Sequence, residues 1–239
     1  MSVATWLGPD AWQALELSAR VACSATLLCL PFGVALGWLL ARREFRGKLA
    51  IETLIQLPMV LPPVVTGYVL LLLFGTRGAI GGWLQRWLGL ELAFNWKGAA
   101  LAAAVMAFPL MVQPIRIAFR MTDQRLERAA NTLGATPWGA FLSITLPLAL
   151  PGILTGALLA FSRALGEFGA TITFVGNIPG VTRTLPLAIY SDTELPGGER
   201  AAGHLALLSV ALAVAALLIC HLITRRAEQR FGLRPETER

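Results

Sequence analysis

Five stretches of this sequence contain no Asp, Glu, Lys or Arg: Val21–Leu40, Leu54–Phe74, Gly98–Ile115, Ser143–Ser162 and Leu205–Ile223. Each is long enough to cross the hydrocarbon core of a bilayer as a helix, which takes about 20 residues. Lipid offers no partner to a backbone N–H or C=O, so an apolar run of this length must satisfy its own hydrogen bonds and is read as helix. The alternative is a set of buried helices in a water-soluble protein. Composition argues against it: 56% of the 239 residues are hydrophobic and 14% are charged, against about 25% charged in an ordinary soluble domain. The expected fold is an all-α integral membrane protein with about five transmembrane helices, one transmembrane domain over residues 1–239.

The arginines orient it. Arg42, Arg43, Arg46 and Lys48 follow the first run, and Arg116, Arg120, Arg125 and Arg128 follow the third. Arg225, Arg226, Arg230, Arg234 and Arg239 follow the fifth. The intervening ends carry fewer, among them Arg77, Arg86 and Lys97, then Arg183 and Arg200. The excess of positive charge marks the cytoplasmic side. The expectation is therefore an N-terminus outside and a C-terminus in the cytoplasm, a parity that five crossings give and six do not. A sixth apolar candidate, Phe168–Ala188, is interrupted by Asn177, Pro179, Gly180 and Arg183. It reads as a re-entrant or interfacial segment on the outer side, where irregular backbone is tolerated if packed in protein or lining a wet cavity. No basic region precedes Arg20, and Asp10 and Glu16 come first, so the first run is expected to remain rather than be cleaved as a signal peptide.

The net charge of +6 clusters at the inner ends of the runs, which argues against nucleic acid as a partner and for lipid. Cys23, Cys29 and Cys220 all lie in apolar runs and read as small buried hydrophobes. His204 and His221 flank the last run without a cysteine or carboxylate cluster, so no metal site is expected. The chain has no G-x-x-x-x-G-K-[ST] loop, no H-E-x-x-H and no nucleophile beside a base. It does not read as an enzyme, and any ATP it depends on must be hydrolysed by another subunit.

Between the third and fourth runs the chain turns polar: "ERAANTLGATPWGAFLSITLP", Glu127–Pro147. Asp123 is placed to cap a helix N-terminus with its carboxylate. Leu126, Ala130 and Leu133 then fall on one helical face, with Arg125, Arg128 and Thr132 elsewhere. Gly134 supplies the left-handed residue that closes a helix. Thr136 and Pro137 open the next, as N-cap and first helical residue. The spacing predicts a compact helix–Gly–helix elbow over residues 122–147.

This elbow resembles the EAA loop of ABC importer permeases: E-A-A, three residues, G, nine residues, I-x-L-P. Ala129, Ala130, Gly134, Ile144, Leu146 and Pro147 match in register. The glutamate departs from the pattern, because Arg128 occupies its position and Glu127 lies one residue earlier. The similarity extends to "FGVALGWLLARREFRGK", "LPMVLPPVVTGYVLLLLFGTRGAIG", "KGAALAAAVMAFPLMVQPIRIAF" and "SRALGEFGATITFVGNIPGVTRTLPLAIY", which look like the molybdate permeases of that family, with sulfate/thiosulfate permeases close to them. The resemblance implies a type I importer permease in a bacterial inner membrane. It implies a homodimer of this subunit, two ATP-binding cassette ATPase subunits that carry ATP and Mg, and a periplasmic oxyanion-binding protein. No cofactor is expected on this chain. In that family the loop carrying Glu127 to Pro147 is the coupling helix that docks into a groove on the ATPase. A symmetric ATPase pair needs two matching docking helices, and one chain supplies one, so a two-fold dimer is the simplest assembly.

A small dianion crossing hydrocarbon needs polar partners, and the uncharged runs offer only hydroxyls and backbone freed by proline. Thr66, Thr155 and Ser162 are the pathway candidates among the hydroxyls. Pro58, Pro62 and Pro63 interrupt the second run, and Pro109 and Pro114 the third; each permits a kink. Arg163 and Glu167, four residues apart, share a helix face near the outer end of the fourth run and are candidate gate residues; a mutually satisfied structural pair is the alternative. Glu16 and Arg20 show the same spacing and read as interfacial anchors. Gly33-x-x-x-Gly37 and Gly152-x-x-x-Gly156 predict close helix approaches, within one chain or across the dimer. Trp83 and Trp87, in the outer loop Gly78–Leu92, read as a short amphipathic helix at headgroup level. Two further classes compete with an ABC permease: a transporter or channel that works without an ATPase, and a membrane scaffold.

Overall fold

A computed structural model describes residues 9–230. Arg234 and Arg239 lie outside the described residues, as do the side chains of Cys220, His221, Arg225, Arg226 and Arg230. Among the described residues the secondary structure is helical: α1 (Pro9–Arg42), α2 (Lys48–Val60), α3 (Pro63–Phe74), α4 (Ala79–Leu88), α5 (Trp96–Met121), α6 (Gln124–Thr132), α7 (Pro137–Ala140), a π-helical turn (Phe141–Thr145), α8 (Leu146–Leu165), α9 (Gly169–Val175), α10 (Leu185–Thr193) and α11 (Glu199–Arg230). Among the described residues four helical stretches are long and apolar enough to cross a membrane, Asp10–Arg42, Trp96–Met121, Pro137–Leu165 and Glu199–Ile219, and the bent pair Lys48–Val60 and Pro63–Phe74 makes a fifth if taken together.

The second expected span is not one helix. Leu54–Phe74 is divided between α2 and α3, which meet at 115°. Pro58 sits inside α2 without ending it. The break comes at Leu61 and Pro62, both extended, with ψ of 143° and 134°. Each precedes a proline, whose ring excludes helical backbone at the residue before it. By contrast α5 runs through Pro109 and Pro114 as one helix.

The central helix is α5, and the two small-residue motifs explain how. A Cβ on Gly33 would lie 2.9 Å from Met111 Sδ, and one on Gly37 would lie 2.6 Å from Ile115 Cγ2. A Cβ on Gly156 would lie 2.6 Å from the Met111 carbonyl oxygen, and one on Gly152 would lie 2.9 Å from that of Pro114. Both motifs therefore grip the same helix, one from α1 and one from α8, within one chain. The contacts become possible because glycine lets the backbones approach. Ala99, Ala102, Ala103 and Ala107 of α5 are fully buried in this seam, as are Met111, Ile115 and Phe119. The Cys29 thiol, also buried, donates to the Ala104 carbonyl at 3.3 Å.

Register along α5 gives direction. Arg20 of α1 lies over the Trp96 ring at 3.9 Å, Cys29 meets Ala104, and Gly37 meets Ile115. So α1 and α5 are parallel, and Arg20 anchors on an indole rather than on Glu16. Gly152 lies beside Pro114 and Gly156 beside Met111, so α8 is antiparallel to both. The ends of α1 and α5 and the start of α8 meet at one arginine-rich end.

The apolar segment Phe168–Ala188 holds α9, an irregular loop over residues 176–184, and the start of α10. Its polar breakers are satisfied inside the protein. The Ile178 N–H donates to Thr182 Oγ1 at 2.9 Å, Arg183 Nε donates to Asn177 Oδ1 at 3.0 Å, and the Leu185 N–H donates to Ser18 Oγ of α1 at 2.7 Å. Here α11 packs on α8 and α10, around a second apolar cluster of Ala14, Leu185, Ala188 and Leu205. The expected amphipathic helix around Trp83 and Trp87 is α4, with both indoles exposed.

Candidate functional site

The elbow forms as its residues dictate. The Asp123 carboxylate accepts from the Arg125 N–H at 2.9 Å and starts α6. Gly134 takes φ of 93°, and the Ala135 N–H reaches back to the Ala130 carbonyl at 3.0 Å, closing the helix as a left-handed glycine does. Thr136 Oγ1 accepts from the Gly139 N–H at 3.0 Å, with Pro137 as the first residue of α7.

What the elbow exposes is apolar and basic. No residue of α6 is buried. Leu133 is 90% exposed and Trp138 69% exposed, with Arg125, Arg128 and Ala129 also at the surface. Ile144, Leu146 and Pro147 are half-buried at the base of α8. Phe141 anchors that base between the Trp138 ring at 5.4 Å, Phe119 of α5 at 6.2 Å and Trp38 of α1 at 6.1 Å.

Glu127 turns away from this surface. Its Oε1 accepts from Arg42 Nη2, at the end of α1, at 3.2 Å, and from Thr145 Oγ1 in the π-helical turn. A second cross-link joins Glu52 of α2 to Arg116 of α5 at 2.6 Å. Lys48 hydrogen-bonds Glu44 at 2.6 Å, and this bond holds the Glu44 carboxyl below its usual range. The basic residues that set orientation in the sequence thus also hold the helix ends together.

The second constellation is a pair of adjacent helix breaks. A Cβ on Gly67 of α3 would lie 2.5 Å from the Ala170 carbonyl oxygen of α9, and one on Gly169 would lie 2.8 Å from Pro63 Cβ. The Pro62–Pro63 break therefore abuts the break between α8 and α9. Arg163 Nη1 pairs with Glu167 Oε2 at 2.7 Å, and Glu167 Oε1 accepts from the Ala170 N–H at 2.8 Å. Glu167 is 3% exposed. Its depth follows from α5: Val175 Cγ1 would meet a Cβ on Gly98 at 2.7 Å, whereas Gly156 lies beside Met111. Those two levels are about 20 Å apart along α5, and Arg163 stands about 10 Å beyond Gly156. The pair sits between them, at the end of α8, and α9 continues past it.

Thr66 is buried at the bend, its hydroxyl without a hydrogen-bond partner among the described residues, against an apolar groove of about 750 Å³ between α1, α2, α3 and α5. Thr155 and Ser162 are elsewhere, on an exposed stripe of α8 with Leu159. The Thr155 hydroxyl donates to the Pro151 carbonyl at 2.8 Å and borders a cleft of about 610 Å³ that runs between α5, α6 and α8 to Asp123. So Pro63, Arg163 and Glu167 share one junction, and Thr155 lies toward the elbow. Among the described residues no group of three His, Cys, Asp or Glu side chains could hold a metal ion.

Residues 33–230 match the family model described as binding-protein-dependent transport system inner membrane component. The chain belongs to this family. This inner-membrane transport component is 54% identical over 221 residues to the molybdenum transport system permease protein ModB of Escherichia coli (strain K12), an alignment covering 92% of this chain and 96% of that one. It is 36% identical over 194 residues to the probable sulfate transport system permease protein cysT of Nephroselmis olivacea, covering 81% and 67%. Its fold is similar to that of a bacterial ABC transporter involved in the import of alginate, with a TM-score of 0.72 at 17% identity, over 94% of this chain and 82% of that one.

In this transport component, sequence reasoning missed Arg42 and Thr145. Arg42 was one of several orienting charges, and Thr145 is the unspecified residue of I-x-L-P. Neither carries a local signal: their partner, Glu127, is 85 residues from one and 18 from the other.

Proposed function

We propose that the chain is the membrane-spanning permease subunit of an ATP-driven importer for molybdate. The observation that carries the reading is 54% identity, over 92% of the chain, to a permease named for molybdenum transport. The weaker match to a sulfate permease, 36% over 81% of the chain, makes sulfate or thiosulfate the second reading. Two copies of this subunit form the pore, with N-termini outside and C-termini in the cytoplasm of a bacterial inner membrane. Two ATPase subunits, which carry ATP and Mg, dock on the elbows, and a periplasmic binding protein delivers the oxyanion. The chain itself hydrolyses nothing.

The geometry fits that work. An elbow with exposed Leu133, Trp138, Arg125 and Arg128 leaves apolar surface in water unless a partner covers it. Closure of an ATPase pair would draw two elbows together and swing the bundles between two packed arrangements. The breaks at Pro62–Pro63 and at Gly166–Gly169 lie beside each other inside the apolar slab. There the Thr66 hydroxyl and the outer face of Arg163 would meet a passing dianion. A weak site suits a pore fed by a high-affinity binding protein, since tight binding would slow release.

The test is uptake into vesicles carrying the reconstituted complex, with molybdate, tungstate and sulfate in competition. Molybdate uptake that requires ATP and resists excess sulfate is the expected result. Sulfate outcompeting molybdate would replace the substrate, and uptake without any ATPase would replace the class.

A further inference from the structure

One carboxylate oxygen joins three elements at the arginine-rich end. Glu127 Oε1, on α6, receives Arg42 from α1 at 3.2 Å and Thr145 from the π-helical turn beneath α8. The site is enclosed. The Arg42 side chain is 7% exposed and that of Glu127 28%, and Thr145 is fully buried. Its neighbours on α6, Arg128 and Ala129, face outward, so the carboxylate is not part of the exposed docking surface.

We propose that Glu127 is a positioning residue that locks the elbow to both α1 and α8, so that a displacement of α6 moves the bundle rather than bending the elbow. The inference rests on the reading of the elbow as the ATPase-docking element.

Three features make the lock necessary. First, the elbow's covalent attachments depart from regular α-helix: it is joined to α5 through Thr122 and Asp123, both outside helix, and to α8 through a π-helical turn. Wider i→i+5 turns interrupt the regular ladder and are common where helices work. Second, α1 has no covalent link to the elbow nearby, and 85 residues separate Arg42 from Glu127. That ion pair ties α1 directly to α6, beside the Trp38–Phe141 ring contact at the base of α8. Third, α1 grips α5 through Gly33 and Gly37. A pull passed to α1 and α8 together therefore reaches α5 through both helices. A charge-assisted bond in a half-buried site is suited to carry that load.

The measurement is molybdate transported per ATP hydrolysed, in proteoliposomes carrying the permease with its ATPase and binding protein. The wild-type complex must first assemble and couple; failure there removes the docking reading itself. Glu127→Ala is then expected to assemble with the ATPase and still hydrolyse ATP, while transport per ATP falls about tenfold, within the range typical of coupling between sites. Arg42→Gln breaks the same lock from α1 and should lower the ratio likewise, whereas Arg42→Lys keeps the charge and should recover most of it. If Glu127→Ala does not assemble, the two Arg42 variants decide. A wild-type ratio in Arg42→Gln, or equal loss in Arg42→Lys and Arg42→Gln, overturns the proposal.

Discussion

Gly156 faces the carbonyl oxygen of Met111 so closely that a single added methyl would sit 2.6 Å from it. The neighbour is backbone in the middle of α5 and has nowhere to go. Gly37 meets the fully buried Ile115 side chain at the same separation, with the Arg116 backbone N at 3.3 Å, and a β-branched side chain has little freedom to rotate. Gly156→Ala and Gly37→Ala are therefore both expected to destabilise the fold by about 1–3 kcal/mol, the usual range for overpacking. Gly203→Ala is the control, because nothing lies within 4 Å of its Cβ position; it should gain up to about 1 kcal/mol of helix propensity. Thermal unfolding of the detergent-solubilised protein would rank the three. An equal effect of Gly156→Ala and Gly203→Ala would remove the account of α5 as a gripped helix.

Arg163→Ala leaves the Glu167 carboxylate buried with the Ala170 N–H as its remaining bond. Losing one partner of a buried pair costs about 3–5 kcal/mol when both are enclosed, and less here because Arg163 is partly exposed. The single variant should assemble but transport poorly. Adding Glu167→Gln removes the stranded charge and should restore stability. Transport should stay low if Arg163 borders the path. Full recovery of both in the double variant would make the pair purely structural.

Gly134→Ala tests the bend. The residue has φ of 93° and nothing within 4 Å of a Cβ, so the cost is conformational alone, about 1–2 kcal/mol. The membrane core should keep its unfolding temperature, while the elbow loses its shape and the ATPase binds more weakly. Co-purification of the ATPase across a detergent titration would show it. Undiminished binding would mean that the turn is not needed for docking.

Leu133→Glu tests the surface. At 90% exposure the side chain contributes little to the isolated fold, so stability should change by less than about 0.5 kcal/mol. A charge placed in a docked apolar contact should cost about 2 kcal/mol or more of association. Surface-immobilised ATPase titrated with permease would give the ratio of affinities. An unchanged affinity would place the ATPase elsewhere.

The local features were legible in the sequence because each is decided within a few residues. Asp123, Gly134, Thr136 and Pro137 cap, close and reopen helices by bonds to backbone two to five positions away. Runs without charge specify helices in lipid wherever they occur, and proline pairs such as Pro62–Pro63 announce a break. The degree of the break was not legible: the run Leu54–Phe74 reads as one span, and the 115° bend depends on α3 finding α9 to pack against. The same holds for the glycine motifs, which name a close approach without naming the partner. Only the folded chain puts both on α5, sets the Arg163–Glu167 pair beside the Pro62–Pro63 break, and brings Arg42 and Thr145 to one oxygen of Glu127. Those contacts join segments far apart along the chain, and a side chain's type and spacing carry no record of what will stand opposite it once the helices pack.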